Sequence, residues 1–233
     1  MNRGIALAIC FCLTPTDAGL ADQSRVEMVR PTQQVPREGY KTWSLFLICT
    51  PDWVGPDKSD DLANLYQRFT RFGDAIGDDN LAVWFWRRPI ALHDSKLSEN
   101  IDVRRSTEYC RTLMLKPSEG PFLVVTNEYP QLTTFPRDRA VFSLGGLQPV
   151  ELSKLLNGLT DQLLLQGKVD TTPPAASPAA PPSEPATSNQ PASRLWVQLL
   201  EGARRSMIGF GCNVKMQVSA GILSAEVRGC PGP

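Results

Sequence analysis

The chain has 233 residues with 24 basic and 24 acidic side chains, so its formal net charge is zero. That balance argues against a nucleic-acid partner recruited by charge, because phosphate-driven binding needs a basic surplus or patch. Hydrophobic residues make up 42% of the chain, enough for a core, and the length allows one or two domains.

Residues 1–21 read as a signal peptide. Arg3 supplies a minimal positive region, Ile5 to Leu13 an apolar stretch, and Gly19-Leu20-Ala21 a small-residue cleavage site before Asp22. The apolar stretch is far short of the roughly 20 residues a spanning helix needs. No membrane span is therefore expected after cleavage. Of the six cysteines, Cys10 and Cys12 fall in this leader, which leaves Cys49, Cys110, Cys212 and Cys230. An even set in an exported chain favours disulfides. His93 is the only histidine and closely spaced Cys or His pairs are absent from the sequence, so neither a metal nor a cofactor is expected. The carboxylate pairs Asp60-Asp61 and Asp78-Asp79 are sequence neighbours, not the two facing groups that glycoside chemistry requires.

Residues 22–40 are polar, carry Pro31 and Pro36, and show no clean period, so they read as an irregular N-terminal extension. Thr42 to Cys49 is an apolar run of the kind that forms a central strand covered on both faces. Pro51 and Pro56 then break the chain. A helix follows, with Ser59 expected to cap it, Asp60 and Asp61 in its first turn, and Leu62, Leu65, Tyr66, Phe69 and Phe72 on one face. Gly73 and Gly77 are expected to end it. Leu81 to Trp86 reads as a second strand, in which alternating Trp84 and Trp86 are packing residues. Another helix is expected from Ser98 or Asn100 to about Leu115. Phe122 to Val125 and Arg139 to Leu144 read as strands, and Gly145-Gly146 turns the chain into a helix from Leu147 to about Leu165.

Residues 169–193 form a Pro/Ala-rich linker that cannot bury a core, and Thr171 to Ser193 would reach on the order of 70 Å in polyproline II. Residues 194–233 read as a small C-terminal module. It has a short helix over Leu195 to Met207 and a hairpin turning at Ala220-Gly221. A two-residue turn pairs Val214 with Val227, Met216 with Ala225 and Val218 with Leu223. A structural Cys212–Cys230 disulfide would staple it, worth on the order of 3 kcal/mol.

The stretch Trp53-Val54-Gly55-Pro56-Asp57-Lys58 resembles the redox turn of the thioredoxin-like superfamily, Trp-Cys-Gly-Pro-Cys-Lys, with Val54 and Asp57 where the two cysteines would stand. Gly120-Pro121, directly before a strand, resembles that family's cis-proline loop. The order strand, helix, strand, helix, strand, strand, helix is also the family's, over roughly Lys41 to Gly167. The segment leading to Pro121 is longer than the family's. The resemblance implies an α/β, thioredoxin-like fold over residues 41–168, with a cis Pro121 facing the turn.

It also implies that the usual chemistry is lost. Dithiol exchange needs a low-pKa thiolate and a resolving cysteine three residues on. Val54 cannot act as a nucleophile and Asp57 cannot resolve a mixed disulfide. Cys49 and Cys110 read as a structural disulfide, a displaced redox pair, or two buried thiols. The resulting expectation is an exported, redox-inactive binding or scaffolding protein, periplasmic or secreted. Its partner would be a protein, either an extended polypeptide or a component of an envelope assembly. The alternative is an atypical thiol–disulfide oxidoreductase using Cys49 and Cys110.

Overall fold

The computed structural model describes residues 26–87, 97–136, 139–169, 199, 201–202, 205, 213–219 and 222–228. The expected leader, His93, most of the Pro/Ala stretch, and Cys212 and Cys230 lie outside the described residues. The chain is mixed α/β. Its strands run β1 (Val26–Val29), β2 (Thr42–Leu47), β3 (Asn80–Phe85), β4 (Phe122–Thr126), β5 (Arg139–Ser143), β6 (Asn213–Ser219) and β7 (Ile222–Arg228). Its helices include α1 (Ser59–Ala75), α2 (Leu97–Asn100), α3 (Val103–Thr112) and α4 (Pro149–Val169).

The strands form one seven-stranded sheet in the order β1-β3-β2-β4-β5-β7-β6. β1 and β2 both run parallel to β3, and β4 is antiparallel to β2 and β5. Every residue of β2 and β3 is buried, as their apolar runs predict for central strands. Because side chains alternate along a strand, each central strand feeds two cores. Phe46, Ala82, Trp84 and Trp86 lie on one face with Leu62, Phe69 and Phe72 of α1 and Leu155, Leu156 and Leu159 of α4. Leu45, Leu47, Val83 and Phe85 lie on the other, with Tyr109 and Cys110 of α3.

The structure departs from the sequence expectations in four places. Within the stretch expected to be irregular, Val26–Val29 forms the edge strand β1. Only Val26 and Val29 are fully buried, with Glu27 and Met28 between them, so a four-residue strand leaves no alternation to read. Ser59 opens α1 but does not cap it, since the cap position is Lys58 and no side chain caps there. Gly73 lies inside α1 rather than at its end: a Cβ there would collide with Val26 Cγ2 and lie 3.0 Å from Ala82 Cβ, so glycine lets the helix approach β1 and β3. Gly77, at φ +85°, follows the helix as a left-handed residue. The expected helix up to Leu115 is two helices. Ile101 bridges Trp86, and Asp102 Oδ1 caps α3 by accepting from Arg105 N at 3.0 Å.

The C-terminal hairpin has the register that a two-residue turn predicts: Val214↔Val227, Met216↔Ala225 and Val218↔Leu223. It also extends the main sheet, since β7 pairs in parallel with β5 from Ala140↔Leu223 to Phe142↔Ala225. Leu199, helical and fully buried, belongs to the core under α1 and α4. Among the described residues no helix is long and apolar enough to cross a membrane.

Candidate functional site

The stretch after β2 is wound tightly by its own residues. Thr50 caps a 3-10 turn over Pro51–Val54, its Oγ1 accepting from Asp52 N at 3.3 Å. Gly55 separates this turn from a second, Pro56–Lys58, which runs straight into α1. A proline opens each turn, where its missing N–H costs nothing. Trp53 and Val54 are half-buried against the core under α1 and α4, while Pro56 and Asp57 are exposed. Asp57 makes no side-chain cap at either turn. Its Oδ1 folds back so closely that a Cβ on Gly55 would lie 2.7 Å from it. Lys58 Nζ sits 5.4 Å from the Trp53 ring centroid and 3.1 Å from Asp61 Oδ2.

The Gly120–Pro121 bond is cis. Pro121 O accepts from Leu144 N at 2.8 Å, and Ser143 Oγ donates to Glu119 O. Gly145 packs against this backbone so closely that a Cβ there would lie 2.7 Å from Gly120 O. The segment after β5 is thereby fixed to the Pro121 loop. It also forms one wall of a cleft of about 230 Å³. Leu144, Gly146, Leu147, Gln148, Pro149 and Leu152 form that wall. The opposite wall is Trp53, Lys58 and the α1 residues Asp61, Asn64, Leu65 and Arg68. Pro121 supports the first wall through Leu144 but does not itself line the cleft. Arg68, a cleft residue, donates from Nη1 to Ser153 Oγ and ties α1 to α4, a link that no spacing in the sequence announced.

Cys49 and Cys110 are disulfide-bonded, with their Cα atoms 5.8 Å apart. Both are buried, 3% and 2% exposed. They belong to the core under α3, whereas Trp53 and Val54 pack against the core under α1 and α4. Thr107 Oγ1, on α3, donates to Cys49 O at 3.2 Å and reinforces the tie. The structure thus brings the Trp53–Lys58 turn together with the segment fixed to Pro121 on one core, and packs the two cysteines in the other. Among the described residues no group of His, Cys, Asp or Glu could hold a metal ion.

What this arrangement can do is limited by what it contains. The cleft offers apolar surface from Trp53, Leu65, Leu144, Leu147 and Leu152, with cations and amides at Lys58, Arg68, Asn64 and Gln148. Among the described residues that line it there is no thiol and no histidine. Asp61 adds a carboxylate, so the lining is more polar than apolar, a mixed surface suited to non-covalent binding through hydrogen bonds and apolar contact together. No family model, no curated protein and no solved structure matches this chain.

Proposed function

We propose that this chain is an exported, redox-inactive thioredoxin-like protein that binds an extended polypeptide in the cleft between the Trp53–Lys58 turn and Leu144–Leu152. The observation that carries the reading is the separation of sulfur from the turn. Val54 and Asp57 occupy the turn, and the bonded Cys49–Cys110 pair is 3% and 2% exposed under the other face of the sheet. An exchange disulfide must admit an attacking thiolate in line with one sulfur, and burial denies that access. The family likeness is supported by the strand order β1-β3-β2-β4-β5, with β1 and β2 parallel to β3 and an antiparallel β4–β5 pair. Export is supported by the leader-like residues 1–21 and by the disulfide, which persists in oxidising compartments.

The alternative is an oxidoreductase that uses Cys49 and Cys110, and one pair of assays separates the two. The mature protein is tested for catalysis of insulin reduction by dithiothreitol. Its binding of a permanently unfolded, carboxymethylated polypeptide is then followed by fluorescence anisotropy. We expect no catalysis. We expect binding that Leu147→Asp weakens at least about tenfold, since losing the apolar contact of Leu147 and burying a charge in its place costs on the order of 1.4 kcal/mol or more. Catalysis abolished by Cys49→Ser would establish the alternative. Binding unchanged by Leu147→Asp would remove the cleft from the proposal.

A further inference from the structure

The two edges of the sheet differ in how well they are protected from strand addition. β1 has four residues, carries Glu27, and is followed directly by Arg30-Pro31. A short edge with a charge and a neighbouring proline discourages pairing with another chain. β6 also carries one charge, Lys215, but has seven residues and no proline in or directly after the strand's described residues. It pairs with β7 along its whole length, from Asn213↔Arg228 to Ser219↔Ile222. That regular ladder keeps the strand extended, and no described strand pairs with its outer side.

We propose that β6 is a homodimerisation edge, pairing antiparallel with β6 of a second copy about a twofold axis at Met216. The sequence of the strand selects this occupant. Full overlap of residues 213–219 puts Asn213 opposite Ser219, Val214 opposite Val218, Lys215 opposite Gln217, and Met216 opposite its own copy. Apolar residues then meet apolar ones, polar residues meet polar ones, and no like charges face each other. Other registers are worse. A one-residue slip sets the faces of the two copies against each other. A two-residue slip one way puts Lys215 opposite Lys215, and the other way leaves Asn213 and Val214 without partners. The hairpin already pairs residues in the same manner, with Val214↔Val227, Met216↔Ala225 and Val218↔Leu223. The dimer would continue that apolar row from one copy to the next. Self-complementarity of this kind is what an isologous twofold interface demands. This inference is independent of any binding in the cleft.

The test uses the full mature chain. Sedimentation velocity over a concentration series should show the mass moving from one chain to two. Met216→Glu brings two negative charges together at the axis and should hold the protein at one chain throughout. Because Met216 also pairs with Ala225 inside the hairpin, cysteine bridging gives a second readout. Met216→Cys should form a disulfide-linked dimer with itself under mild oxidation. Val214→Cys and Val218→Cys chains should link to each other when mixed, and neither to itself. Residues opposite each other in adjacent strands have the separation a disulfide needs, whereas Val214 and its own copy would be about 14 Å apart. A protein that stays at one chain at every concentration overturns the proposal. So does a dimer in which Met216→Cys fails to bridge, or one that survives Met216→Glu.

Discussion

On one face of the sheet, α1 and α4, 17 and 21 residues long, cover Phe46, Trp84 and Trp86. On the other, the ten-residue α3 covers Leu45, Val83 and Phe85, and loops close the rest. The helical face is held by aromatic packing. Phe46 stacks on Trp84 at 4.2 Å, Phe69 lies 5.2 Å from Phe46, and Tyr66 sets its edge against both Trp84 and Trp86. The α3 face has fewer aromatic contacts, chiefly Phe85 stacked on Tyr109 at 5.0 Å, and adds ties to them. Cys49 is bonded to Cys110, Trp43 Nε1 donates to Pro36 O at 2.9 Å, Tyr129 OH to Val35 O at 2.8 Å, and Tyr109 OH to Pro130 O at 3.1 Å. The difference has a physical origin. Two long helices satisfy their own backbone groups and bring wide apolar stripes, so burial suffices. Loops bring unpaired carbonyls that must find donors, and a short helix brings little area. The turn that lines the cleft belongs to the packed face, and the disulfide braces the other.

The largest effect should come from the packed face. Trp84 is 1% exposed at the centre of the aromatic group. Trp84→Ala should cost about 3–5 kcal/mol, read as a fall in the urea midpoint at unchanged slope. A cost no larger than that of a surface substitution would mean that this face collapses around the hole, and that packing is not what holds it.

Next is the covalent tie. The bonded cysteines are 61 residues apart in sequence, and closing such a loop is worth about 4 kcal/mol in the chain-entropy model. Replacing both cysteines by alanine should therefore destabilise by about 2–4 kcal/mol. The comparison makes a sharper claim about location. Hydrogen exchange should accelerate in α3 and in residues 127–136, while α1 and α4 keep their protection relative to global unfolding. Equal acceleration on both faces would erase the distinction.

These two faces were unequally legible in the sequence. The packed face announces itself: Leu62, Leu65, Phe69 and Phe72 recur at helical steps, and Trp84 and Trp86 alternate as strand residues do. The hairpin register followed from the turn length and the apolar pairs alone. β1 was not legible, because a four-residue edge strand is fixed by its partner β3 and not by its own pattern. Nor was the break before α3, which depends on Ile101 reaching Trp86 across the fold. In the cleft, the turn and Pro121 were legible as a resemblance. Arg68 and the Leu144–Leu152 wall were not, since they meet only when α1 and α4 pack side by side. The attachment of β7 to β5 depends on residues more than a linker's length apart, and no local signal encodes it.

The smallest effect tests the ties by pH. Burial raises the pKa of Tyr109 above its ordinary value of 10.0, more than the nearby charge and hydrogen bond of Arg105 lower it. Below the ordinary value, the folded and unfolded chains both keep the phenolic proton, and the contribution of Tyr109 to stability is fully present. Above it, the unfolded chain releases the proton while the folded chain retains it, so that contribution is lost as pH rises through the folded pKa. Tyr109→Phe should therefore flatten the alkaline fall in stability that sets in above about pH 10. At neutral pH the same substitution should cost about 1 kcal/mol, because Pro130 O loses its donor. Tyr66, on the packed face, is shifted in the same direction by burial, so some alkaline slope should remain in the variant. An unchanged slope would mean that the Tyr109 phenol meets water in the folded protein, and that the α3 face is more open than its ties suggest.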